Sequence, residues 1–223
     1  MQVFRVSYLL SLIAVAAVLV GSARAEDKPA VAGKVYEIDT EASKVFVKVG
    51  SATRLGHPHG VEGAFKSGKL TLGGTGEFVF DMASFTADTA NARNRVGLGN
   101  KKVSENEAKK VTAAMRGADV LDVNKYPTAT FRIAMIKPVD KQAAGAPGGY
   151  QLDGTFTLHG SEQKLSLKAD VAATDKPDVI KVTGSFRIRQ TVYGITPYSA
   201  AGGLAKVADE LEISGDLVLK ATK

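Results

Sequence analysis

The chain has 223 residues, 44% of them hydrophobic and 23% charged, with a formal net charge of +6 and no cysteine. The lack of cysteine excludes disulfides, thiol catalysis, thiolate metal sites and a lipid-carrying lipoprotein cysteine. The lysines are scattered and form no block, which argues against a dedicated nucleic-acid surface.

Met1 and Arg5 precede an apolar run from Tyr8 to Val20, followed by Gly21-Ser22-Ala23-Arg24-Ala25. Small residues at Ala23 and Ala25 match a signal-peptidase site, so residues 1–25 read as a signal peptide, with the mature chain starting at Glu26 in the periplasm. The apolar run falls short of the about 20 residues of a spanning helix, so no stable membrane insertion is expected after cleavage; a retained anchor is the alternative. Cleavage removes Arg5 and Arg24 and no acid, which lowers the charge from +6 by two to +4. Residues 26–33 read as a flexible leader and 34–223 as one domain, a size that suits a single all-β unit.

Strand signals then follow closely. Val35–Asp39 and Lys44–Val49 read as a hairpin around Thr40–Ser43, with Val45, Val47 and Val49 alternating with Phe46 and Lys48. Gly60–Phe65 and Lys69–Leu72 read as a second hairpin around Lys66-Ser67-Gly68. Glu77–Met82 places Phe78 and Phe80 on one face and Val79 on the other. Residues Ala87–Lys102 are polar and glycine-bearing, the start of a long excursion from the sheet, and excursions of that length are usually functional or disordered.

The excursion continues into the single long stretch with a helical period. Ser104 and Glu107 have capping-box spacing, Val111, Ala114, Met115 and Ala118 form one apolar face, and Gly117 is placed to close the helix in a left-handed conformation. Asp119–Tyr126 leads to Pro127, which forbids further helix. So short a helix, poor in large apolar residues, needs a surface to lie on, and it reads as the lid of a barrel.

Strands resume over Ala129–Ile136, Tyr150–Leu158, Lys164–Ala173, Val179–Ile188 and Leu211–Leu219. Ala143–Gly149 reads as a flexible loop, His159–Glu162 and Asp175–Asp178 as tight turns, and Thr191–Glu210 as a second interruption. With no α/β alternation, the economical fold is an antiparallel sheet closed into a β-barrel of about eight strands with one short lid helix; closure also removes exposed edges.

Five segments in this order carry a family resemblance: Val35-Tyr36-Glu37-Ile38-Asp39 with Ser43-Lys44-Val45; Val120–Pro127 leading to Thr130-Phe131; Leu158-His159-Gly160; Gly184-Ser185-Phe186 with Tyr193-Gly194-Ile195; and Val207–Leu211. Through them nearly all of the mature chain resembles the YceI-like family, periplasmic proteins whose lipocalin-like barrel binds polyisoprenoids or other long-chain amphiphiles. The sequence departs from the common family pattern at Gly56-His57-Pro58-His59-Gly60 and at Val103–Arg116, both of which fall on the mouth of the barrel. The departure bears on ligand identity more than on fold.

The resemblance implies a barrel that holds an isoprenoid quinone, a polyprenyl lipid or a fatty-acid amide, with no other cofactor. Candidate lining residues are Phe46, Phe65, Phe78, Phe80, Phe131, Phe156, Phe186 and Ile188, with Met115, Val120 and Leu121 from the lid; for each taken singly, plain core packing is the competing role. Arg93, Arg95 and Arg116 are the cations available to a head group. The competing reading is a metal-binding or stress protein using His57 and His59, with His159, through imidazole nitrogens. Enzyme signatures are lacking: Ser161-Glu162-Gln163-Lys164 matches S-x-x-K but falls in a hairpin turn without its companion motifs, and no G-x-S-x-G, H-E-x-x-H or phosphate-binding pattern occurs. A hydrophobic small molecule is the expected partner. A homodimer is compatible with the family, and no strand is marked for it.

Overall fold

The computed structural model describes residues 33–99, 103–139 and 147–222. The signal peptide and all but the last residue of the leader lie outside the described residues, as do residues 143–146 of the expected loop. The described elements are β1 (Val35–Ile38), β2 (Lys44–Ser51), β3 (His59–Thr71), β4 (Gly76–Ala87), α1 (Ala90–Arg95), α2 (Glu105–Arg116), β5 (Thr128–Pro138), β6 (Gly148–Leu158), β7 (Ser161–Ala173), β8 (Val179–Arg189), β9 (Ser199–Ala200) and β10 (Ala205–Ala221).

Strands β2 to β8 each pair antiparallel with the next, and β10 pairs with both β8 and β2, closing an eight-stranded barrel. The pairing corrects two expectations. β1 and β2 do not form a hairpin: each runs antiparallel to both β3 and β10, so they are two pieces of one broken strand. Asp39 makes the break, its side chain accepting from the N–H groups of Glu41 and Ala42, and the buried Ser43 hydroxyl accepts from Val218 N–H at 2.9 Å. Nor is there a turn at Lys66-Ser67-Gly68. β3 runs straight through it with two register shifts, because Phe65 and Leu70 both have core to bury and a bulge keeps them on one face.

Alternation fixes which residues point inward. Val45, Val47 and Val61 join the buried core with Phe78, Phe80, Phe131, Phe156, Ile188 and Ile213. Phe46 is equally buried, but it stands on the opposite face of β2, outside the barrel, with the Arg95 guanidinium 5.6 Å from its ring. α1 covers that outer face. It forms within the polar excursion, where the sequence carries no helical period, and its N-terminus is capped by Thr89, whose hydroxyl accepts from Ala92 N–H and donates to Glu62 on β3.

α2 forms where the sequence places it, with the Ser104 hydroxyl accepting from Glu107 N–H. The Glu107 carboxylate turns to His57 Nε2, 3.3 Å away. Gly117 ends the helix in an extended conformation, φ −65° and ψ 168°, and the left-handed residue is Asp122, φ 42°. Bonds from Leu121 N–H to Met115 C=O and from Val123 N–H to Arg116 C=O fold the following segment back along the last turn. Ala118, expected on the apolar face, lies beyond the helix and is exposed.

Candidate functional site

A cavity of about 240 Å³ occupies the end of the barrel under α2. Its walls are Val45, Val47 and Val49 of β2, Val61 of β3, Phe80, Met82 and Phe85 of β4, Ile188 of β8, and Leu211 and Ile213 of β10. Val111, Ala114 and Met115 of α2, with Val120 and Leu121 behind them, close the top. The floor is aromatic: Phe65 and Phe80 rings are 4.9 Å apart, Phe80 and Phe156 5.9 Å, and Phe156 and Phe186 5.7 Å. Below it, Leu70, Leu72, Ile133, Tyr150 and Leu219 are all buried and fill the far end of the barrel with side chains.

The barrel is therefore half filled. Among the expected lining residues, Phe80, Met115, Val120, Leu121, Phe156 and Ile188 line the cavity. Phe65, Phe78, Phe131 and Phe186 face inward and belong to or lie beneath the floor, while Phe46 is excluded by facing outward. Val45, Val47 and Val49 of β2 and Val207 of β10 also line the cavity, and aromatic content alone does not point to them. The alternation of Val45, Val47 and Val49 was the signal that could have found them.

Four wall residues carry polar side-chain atoms: His59, Lys110, Gln190 and Tyr198. Gln190 Nε2 donates to Ala208 C=O at 2.8 Å, and Tyr198, 44% exposed, stands at the rim. His59 Nδ1 lies 2.6 Å from Asp88 Oδ2, and the other Asp88 oxygen accepts from Arg93 at 3.0 Å and from Gly60 N–H at 3.3 Å. Burial pushes the Asp88 carboxyl up, but the hydrogen bonds it accepts from His59, Arg93 and Gly60 N–H outweigh it and hold it below the ordinary carboxylate range.

The three arginines are occupied elsewhere. Arg93 is buried against Asp88, Arg95 makes a two-point bond to Asp216 on the barrel exterior, and Arg116 donates to Phe85 C=O and Thr86 Oγ1, tying α2 to β4. The cation at the cavity mouth is Lys110. The His57 and His59 rings lie 4.5 Å apart, whereas His159 sits in the β6–β7 turn, φ 51°, against Tyr126 at 4.4 Å. Among the described residues no three His, Cys, Asp or Glu side chains are grouped to hold a metal ion.

The model of the YceI-like domain matches residues 36–219. The chain belongs to this family. UPF0312 proteins of Vibrio cholerae are 26% identical to this YceI-like chain over 184 residues, covering 81% of it and 86% of their own length. Two solved structures share the fold: BcnA of Burkholderia cenocepacia, 22% identical with a TM-score of 0.55, over 81% of this chain and 98% of that one, and a polyisoprenoid binding domain from Saccharophagus degradans, 16% identical with a TM-score of 0.58, over 84% and 98%. No described helix of the YceI-like chain is long and apolar enough to cross a membrane.

Proposed function

We propose that this YceI-like protein is a periplasmic carrier that sequesters an apolar chain, such as an isoprenoid or acyl tail, in the open half of its barrel. The observation that carries the reading is the apolar cavity under a lightly held helix. α2 has no fully buried residue, and its side-chain bonds to the barrel run to the end of β4: Arg116 donates to Phe85 C=O and Thr86 Oγ1, and Thr112 Oγ1 accepts from Ala87 N–H. The polyisoprenoid binding domain of similar fold supports the class of cargo. The signal-like N-terminus supports the compartment.

Energetics favour retention. Each methylene taken from water contributes about 0.8 kcal/mol, and micromolar affinity needs about 8 kcal/mol, so roughly ten buried carbons reach that range before ordering costs are subtracted. Longer tails require α2 and the Val120-Leu121 segment to move outward. Native mass spectrometry of the exported protein, followed by solvent extraction, tests the reading: a stoichiometric apolar species is expected, and a mass equal to the bare chain, or to the chain plus a divalent metal, would overturn it.

A further inference from the structure

The cavity wall holds one polar group that retention of an apolar tail does not require. His59 lies on the face of β3 that also carries Val61, its side chain 12% exposed, and its Nδ1 is engaged by Asp88. An ionised carboxylate only accepts, so Nδ1 carries the proton and donates; a neutral ring then presents Nε2 as an acceptor. Among the described residues nothing donates to Nε2.

The setting of this imidazole is built. Asp88 has a fully inaccessible side chain and a left-handed backbone, φ 57°, unusual for a residue with a Cβ. α1 is pressed so close that a Cβ on Gly60 would sit 2.9 Å from Arg93 N. Docking of α1 accounts for the Asp88–Arg93 pair, which Gly60 N–H already completes. It does not account for an imidazole at a position where another valine would continue the apolar wall. Gln190 spends Nε2 on Ala208 C=O, and its remaining amide oxygen is a second acceptor in the same wall.

We propose that His59 reads the polar end of the cargo by accepting a hydrogen bond at Nε2 from a hydroxyl group, so that the cargo is an amphiphilic alcohol in preference to a hydrocarbon or a carboxylate. The proposal rests on the carrier reading above. A hydrocarbon offers the acceptor no hydrogen bond, and a carboxylate sets lone pairs against lone pairs.

The test uses the mature protein and three probes on one isoprenoid skeleton: geraniol, the hydrocarbon lacking its hydroxyl, and geranic acid. Each competes against an environment-sensitive fluorescent lipid. Geraniol is expected to bind about three- to tenfold more tightly than the hydrocarbon, with the ratio falling close to one in His59→Phe. In wild-type protein the His59 Nε2 nitrogen resonance should move on addition of geraniol and stay in place with the hydrocarbon, a readout that depends on no variant. Equal affinities, an unchanged ratio in His59→Phe, or an unmoved resonance would overturn the assignment. Geranic acid binding best would overturn it in favour of Lys110. If none of the three displaces the reporter, the carrier reading itself fails.

Discussion

Straight-chain primary alcohols of increasing length should gain affinity by a constant factor per carbon and then abruptly stop. An apolar cavity of about 150 Å³ accepts one benzene ring, and on that scale the 240 Å³ under α2 takes roughly ten carbons. At about 0.8 kcal/mol per methylene, dissociation constants should fall about fourfold per carbon, or roughly 200-fold between six and ten carbons. Beyond that length the floor of Phe65, Phe80 and Phe156 blocks the tail, and each further carbon stays in water or must push α2 aside. Met115→Ala enlarges the cavity from the lid side and should move the break about two carbons further out. Displacement titrations below the micellar limit of each alcohol read the break directly. A gain that continues undiminished to about sixteen carbons would mean that the aromatic layer is no floor; a flat series would mean that tails bind elsewhere.

Phe46→Ala should cost about 3–5 kcal/mol of stability in urea unfolding while leaving amphiphile affinity unchanged, because that ring is buried outside the barrel against Arg95. Asp88→Asn should cost a similar about 3–5 kcal/mol by leaving buried Arg93 without its counter-charge. Because the folded-state pKa of Asp88 is depressed, its stabilisation is complete above the ordinary carboxylate range and drains away as pH falls through the folded value. Wild-type unfolding midpoints should therefore drop on acidification below about pH 4, and those of Asp88→Asn should drop less. Ser43→Ala removes the group that accepts from Val218 N–H inside the core, and should cost about 1–3 kcal/mol and speed amide exchange at Val218.

The barrel was legible because most strands announce themselves by alternation between short turns, and α2 because its cap and its apolar face agree. What misled was local adjacency. Val35–Asp39 and Lys44–Val49 are separated by four residues, the spacing of a hairpin, yet both pair with β3 and β10; sequence spacing cannot tell a turn that reverses the chain from one that offsets it. Phe46 misled for a related reason. Aromatic residues suggest core, but only the register of β2 against its neighbours tells which of two faces is inside, and there the valines hold the inner one. The site's polar side was hidden because it depends on contacts across the fold: His59 and Asp88 stand 29 residues apart, and nothing local to either marks them as a pair.

The clasp formed by β10 has a consequence for how the molecule comes into being. This strand, residues 205–221, pairs with β8, β2 and β1, so the seam of the barrel joins segments more than 150 residues apart in sequence. Until it arrives, β8 and β2 are two long unpaired edges, open to any other strand. Barrel closure must wait until residues 205–221 have been made, and contacts of such sequence separation form slowly. A chain cut before residue 205 should not be a slightly weaker barrel; it should be an aggregating one.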